Sequence, residues 1–451
     1  METTTTKQKK RKLEETAESL ETFTREQLIN RVGQLEKHVD QLRNIISKNT
    51  QEPNLSKKAN KKQRPFDFKR FNTRHVALRI AYLGWDYQGF VVQEDTEKTV
   101  EHYLFDALLR SRLIESRETS NYHRCGRTDK GVSAFGQVIS IDLRSNLLTG
   151  IGVKVREDGT AHLRDSDKET EIRYAYIINK LLPPEIRVLA WTPVTDSFSA
   201  RFSCNQRMYK YYFPKGDLDT TLMLDASKKL IGEHDFRNFC KMDVNNGVVK
   251  YDRRIISTDI RILDSNENGY QMCEFTVVGQ AFLWHQIRCI VAILFYVGQG
   301  KEDPSVVDDL LDIDKHPRKP QYTMASDLPL VLYDCQFDDL EWIYEADVHN
   351  YNLSHLQQLW AQYSIKATTI KSMLDSLTRQ NTVLLPTQEH DDVRASIKED
   401  VLMQSSWITE AKQPKIHQPL LSRQTCESLE EKIESVSKRK NRTLTKGGVN
   451  V

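Results

Sequence analysis

The residues best suited to chemistry lie between His123 and Gly136, in the run His-Arg-Cys-Gly-Arg-Thr-Asp-Lys-Gly-Val-Ser-Ala-Phe-Gly. Asp129 stands there between Arg127 and Lys130, inside Gly126 and Gly131. Glycine accepts backbone angles that other residues resist, so such a loop turns sharply and brings a carboxylate close to a ligand. Cationic neighbours favour the charged form of an acid, and an ionised carboxylate serves as a nucleophile or a general base. An ordinary surface turn uses the same Asp-Lys-Gly chemistry, so this loop alone does not decide the matter. Three further segments combine polar groups with aromatic ones. Phe198-Ser-Ala-Arg-Phe-Ser203 and Arg207-Met-Tyr-Lys-Tyr-Tyr212 interleave rings with cations, which suits the unstacked bases and phosphates of RNA. Tyrosines equally suit an ordinary strand. In Gln280-Ala-Phe-Leu-Trp-His-Gln-Ile-Arg288 the arginine is displaced one residue from the apolar Ile287, where it would usually snorkel to the surface. His234 and His285 are proton-carrier candidates, although a lone histidine is more often structural.

The elements that must carry these residues show in the hydrophobic pattern. Val76, Leu78, Ile80 and Tyr82 alternate as a half-buried strand does, and Gln137, Ile139, Ile141 and Leu143 do so after the Asp129 loop. Between them, Thr99 is an N-cap candidate for a helix carrying Val100, Tyr103, Leu104 and Leu108. A second series follows: strand Tyr209 to Phe213, helix-like Ala226 to Ile231, strand Tyr270 to Val278, the stripe Leu283, Ile287, Ile290 and Leu294, and strand Leu328 to Tyr333. Two strand-and-helix halves with antiparallel-style alternation predict an α+β fold rather than a doubly wound parallel sheet. The expected divisions are a basic tail (1–26), a short coiled-coil-like helix (27–48), a basic linker (49–73), two catalytic halves (74–195 and 196–346) and an extension (347–451). That extension should hold a helix near Leu353 to Tyr363 and a basic, disordered end. The heptad-like leader suits a dimer zipper or a helix packed on its own domain or on RNA.

The chain of 451 residues carries a formal charge of only +2, but its lysines and arginines are clustered, so the local charge matters more than the sum. Seven cysteines form no C-x-x-C pair, which speaks against a disulfide framework or a zinc site and for a reducing compartment. There is no apolar leader, no run long enough to span a bilayer and no nucleotide-binding glycine loop.

Cys125-Gly-Arg-Thr-Asp-Lys-Gly-Val-Ser-Ala134 resembles the signature loop of the TruA family of tRNA pseudouridine synthases. Other segments are similar to that family in the same order: Tyr82-x-Gly84-x-x-Tyr87-x-Gly89-Phe90, Phe198-x-Ala200-Arg201-Phe202, Arg207-x-Tyr209-x-Tyr211, Gly232-x-His234-Asp235-Phe236 and Ala281-Phe282-x-x-His285-x-x-Arg288. Finer features, among them Leu182-Pro-Pro and Cys240-Lys-Met-Asp-Val, resemble the eukaryotic subgroup acting on positions 38 and 39 of the anticodon stem-loop. The resemblance implies a pseudouridine synthase fold, two α+β halves around a mainly antiparallel sheet with a cleft between them. It implies Asp129 as nucleophile, Arg288 as its basic partner, and Tyr209 stacked on an extruded uracil with a share in proton transfer. Leu328 would cover the other face of the base and Arg127 would fill the gap it leaves. Lys130, Arg201, Tyr211 and His285, in the same motifs, are the further substrate contacts implied. The implied partner is tRNA, the implied assembly a homodimer in the nucleus and/or cytoplasm, and the chemistry calls for neither cofactor nor metal. Attack on the ribose or on the base remains open at this point. So do a related synthase acting elsewhere on tRNA and a tRNA-binding chaperone without catalysis.

Overall fold

The alternation of Val76, Leu78 and Ile80 produces strand β1 (Asn72–Tyr82), whose inward residues are fully buried. The computed structural model describes residues 66–155, 170–264, 269–379 and 417–446. The basic tail, the heptad-like leader, most of the linker and most of the 145–170 insertion lie outside them. Thr99 caps helix α1 (Val100–Arg110) as its sequence suggests, accepting a hydrogen bond from the backbone N–H of His102. The chain then runs through the short β2 (His123–Arg124), the Asp129 loop, β3 (Ser133–Ser145) and β4 (Val153–Lys154), followed by α2 (Tyr174–Asn179) and β5 (Ile186–Pro193). The second series comprises β6 (Cys204–Pro214), α3 (Thr220–Lys228), β7 (Gly232–Asp235), β8 (Asp252–Ile262) and β9 (Met272–Gly279). Helices α4 (Gln286–Gly298) and α5 (Val306–Leu311) lead to β10 (Leu330–Phe337).

All ten strands join one sheet, in the order β4-β1-β3-β10-β6-β9-β8-β7, with β2 added on β3 and β5 on β1. Every pairing is antiparallel except that of β10 with β3, so the sheet is mixed and mainly antiparallel. That parallel pair joins the first series of strands to the second. Two apolar clusters grow on the sheet. One gathers Val76, Leu78, Leu104, Ile139 and Val188. The other gathers Phe213, Phe275, Val277, Ile290 and Leu294. Tyr209 packs against both. Helix α4 is buried on all sides, which its nearly continuous apolar sequence requires.

Two segments beyond the sheet extend the sequence reading. The helix expected near Leu353 to Tyr363 is α6 (Ala346–Arg379), and it leaves Trp360, Ile365, Ile370, Met373 and Leu377 exposed. The basic run from Lys438, expected in a disordered end, lies in helix α7 (Leu429–Lys446). The reason is local. Ser428 and Glu431 form a capping box, each accepting a hydrogen bond from the other's backbone N–H, while Leu429 and Val436 are buried against the second cluster. Among the described residues, no helix is long and apolar enough to cross a membrane.

Candidate active site

The Asp129 loop is held on both flanks by backbone hydrogen bonds. Thr128 accepts from the N–H of Phe90 at 3.1 Å, Tyr87 accepts from that of Gly131 at 3.1 Å, and Gln137 bridges both backbone groups of Gly126. Inside the loop, the Tyr82 and Thr128 hydroxyls lie 2.7 Å apart. Gly131 adopts a left-handed φ of 79°, and a Cβ there would stand 2.7 Å from Cγ of Asp327. Only glycine meets both demands. The strand feeding the loop is anchored by Glu101, whose carboxylate is buried between Arg117 at 2.8 Å and Arg124 at 2.9 Å and accepts from Tyr122 and the Val92 N–H. These partners together outweigh burial and hold Glu101 below the usual carboxylate range.

Asp129 faces a cavity of about 590 Å³. Trp284 Nε1 donates to its Oδ1 at 3.2 Å, and Lys241 lies 4.4 Å from the centre of the Trp284 ring. Burial is the largest influence on the Asp129 carboxyl and raises its pKa; the nearby Arg288 charge and the Trp284 hydrogen bond oppose the rise, and Asp327 adds to it. His285 Nε2 lies 3.6 Å from Asp129 Oδ2, too far for a hydrogen bond. Nor is this an ion pair at neutral pH. Burial, followed by the charges of Arg288, Lys241 and Lys319, pushes the His285 pKa down to about 4. The imidazole stays neutral beside the carboxylate, in a left-handed backbone position of φ 62° at the start of α4, with Nδ1 buried and without a hydrogen-bond partner.

Arg288 corrects the expectation of a snorkelling side chain. It is only 4% exposed, because α4 has protein on every side, and its Nε donates to the Ala325 carbonyl at 2.7 Å. A buried guanidinium projects its charge with less screening than one at a surface.

Of the residues singled out in the sequence, Arg127, Asp129, Lys130, His285 and Arg288 line the cavity together. Tyr209 stands behind the loop on β6, opposite Leu332 and Val277, edge-on to Phe282 with ring centres 5.2 Å apart. Burial holds its phenol far above the ordinary range, so it remains protonated and cannot act as a base at neutral pH. Leu328 is 58% exposed, next to the cavity-lining Asp327. Arg201 is exposed over the ring of Phe202 and, with Arg124, helps to depress the Arg127 pKa, for which desolvation is the larger cause. Tyr211 requires a correction. Its ring is fully buried against Phe295 of α4, so it serves the core rather than a substrate. Trp284, Asp327 and Glu101 escaped the sequence reading. Only the position of Trp284 beside His285, in a segment already singled out, hinted at any of them.

A carboxylate near a buried arginine, on a glycine-flanked loop that leads into the central strand β3 of a mixed sheet, marks the site. Residues 226–338 match the tRNA pseudouridine synthase family. The chain belongs to that family. It is 47% identical to the human tRNA pseudouridine(38/39) synthase, over 92% of this chain and 88% of that protein. It is 41% identical to the tRNA pseudouridine(38/39) synthase of Saccharomyces cerevisiae, over 80% and 82% respectively. With a probable tRNA pseudouridine synthase of Caenorhabditis elegans it shares 38% identity, over 84% and 94%.

Proposed function

We propose that the chain isomerises uridine to pseudouridine at positions 38 and 39 of the tRNA anticodon stem-loop, with Asp129 as the nucleophile. The observation that carries this reading is a partly buried carboxylate under the charge of the buried cation Arg288, at a cavity rimmed by arginine and lysine. Arg127, Lys130 and Arg201 supply charge for phosphates, and an extruded base has room in a cavity of about 590 Å³. The reaction breaks the C1′–N1 bond and forms C1′–C5; C5 loses a proton and N1 gains one. Atoms and electrons balance within the substrate, so the chemistry requires no redox cofactor. Asp129 attacks carbon, Arg288 keeps the carboxylate charged against the pull of burial, and Trp284 fixes the direction of Oδ1. Tyr209, kept protonated, offers a flat face to the base, Leu328 covers its other side and Arg127 enters the vacated stack. Neutral His285 shapes the wall and leaves the charge to Asp129 and Arg288.

The same reading includes assembly as a homodimer in the nucleus and/or cytoplasm, supported by the exposed apolar residues of α6. The decisive experiment is site-resolved mapping of pseudouridine in tRNA incubated with the purified chain, and in tRNA from cells with and without it. Product at 38 and 39 is expected. Product at another position would make it a related synthase, and tight binding without product would make it a tRNA-binding chaperone.

A further inference from the structure

The spacing of the seven cysteines speaks against a metal site, yet the fold gathers three of them. Cys125 follows β2, Cys204 opens β6 and Cys335 lies in β10, and their three sulfurs all fall within 4.8 Å of one another. The Cys125 and Cys335 sulfurs are 3.2 Å apart, well beyond the ~2.05 Å of a disulfide. Zinc bound by thiolates at about 2.3 Å in tetrahedral geometry spaces its sulfurs roughly 3.8 Å apart, which lies inside the observed range. Small side-chain rotations therefore suffice to close the trio on an ion.

The surrounding charge also fits. Arg207 Nη2 donates to the Cys125 carbonyl at 3.1 Å and to that of Arg201 at 3.3 Å, which fixes a guanidinium beside the sulfurs. Three thiolates, one divalent cation and one arginine sum to zero, which removes most of the cost of burying the ion. Cys125 and Cys335 are buried and Cys204 is half-buried, so an ion could enter from the Cys204 side and keep a water there as its fourth ligand. Among the described residues no fourth protein donor joins the three.

We propose that Cys125, Cys204 and Cys335 form a three-thiolate site for a divalent thiophilic cation, with zinc the best chemical match. The ion would clamp β2, β6 and β10 behind the Asp129 loop. Its role is structural, for it binds the strands that carry Tyr209 and lead into Asp129 and touches no reacting atom. Because thiol ligands must lose their protons on binding, affinity rises with pH.

The test uses the full chain in a reducing, metal-free buffer. Zinc is titrated against a chromophoric chelator, and cadmium is used to read the ultraviolet charge-transfer band of thiolate ligation. One equivalent per chain is expected, and zinc should raise the melting temperature by several degrees. Cys335→Ser and Cys204→Ser should each weaken zinc binding at least tenfold, whereas Cys426→Ser, at an exposed cysteine outside the cluster, should not. Should Cys335→Ser fail to fold, Cys204→Ser, at a half-buried position, carries the test, with circular dichroism as the control. Absence of the cadmium band, or a band undiminished in Cys204→Ser, would overturn the proposal. So would a loss of two mass units on exposure to air, from a Cys125–Cys335 disulfide, in a chain that binds no zinc.

Discussion

Replacing Arg288 by methionine isolates the charge that most opposes the effect of burial on Asp129. Burial drives the Asp129 pKa upward and Arg288 is the largest opposing influence, so its removal leaves the carboxylate less often ionised at any given pH. Breaking a buried ion pair costs about 3–5 kcal/mol. The Asp129 side chain keeps 25% of its surface exposed, and water there screens part of the interaction, so about 2 kcal/mol is a fair expectation. That corresponds to a loss of roughly 30-fold in rate. The pH profile distinguishes this cause from simple damage. Activity requires the ionised form, so its acid limb already lies above the ordinary carboxylate value of about 3.9, and Arg288→Met should move it to still higher pH. Arg288→Lys keeps a charge while losing the Nε hydrogen bond to Ala325, and should retain part of the rate with a smaller displacement of the limb. The assay is single-turnover pseudouridine formation on an anticodon stem-loop across the acid range, with melting temperature as the folding control. A folded Arg288→Met enzyme within threefold of the wild-type rate, or one whose acid limb stays in place, would refute the assigned role of Arg288.

Asp129→Asn should abolish turnover yet raise the melting temperature at neutral pH. An acid whose folded pKa lies above its unfolded value destabilises the charged native state, and that penalty is fully present above the folded pKa and fades as pH falls; an unchanged or lower melting temperature at pH 7 would count against it. His285, with a folded pKa pushed down to about 4, should show no protonation between pH 5 and 8 by NMR; stability should fall as pH drops from roughly 6.5 toward that value, and a midpoint near neutrality would remove it from its neutral role. Gly131→Ala combines a left-handed φ of 79° with a Cβ 2.7 Å from Cγ of Asp327, so the loop or the Asp327 side chain must shift. The expected cost is about 1–3 kcal/mol of stability together with a drop in kcat, and a fully active variant would show that the loop tolerates displacement.

Much of this protein can be read directly from its residues because the governing interactions are local. Alternation places β1 and β3, and a threonine ahead of an apolar stripe starts α1. The glycine-flanked run around Asp129 announces a loop with chemistry because the backbone angles and charges that matter lie within a few residues of one another. Other features depend on neighbours distant in the chain. Trp284 donates to a carboxylate 155 residues away. Tyr209 and Tyr211 share a face of β6, yet α4 covers only Tyr211 completely, and no period in the sequence reveals which helix lies over which residue. Arg288 reads as a surface residue by its place on the helical stripe and is buried because that helix has protein on every side. The three cysteines show no common spacing and meet only where β2, β6 and β10 are brought together. Short-range sterics and periodicity are written along the chain, whereas burial, and with it the strength of every charge in the site, is set only once the sheet has closed the distance between its strands.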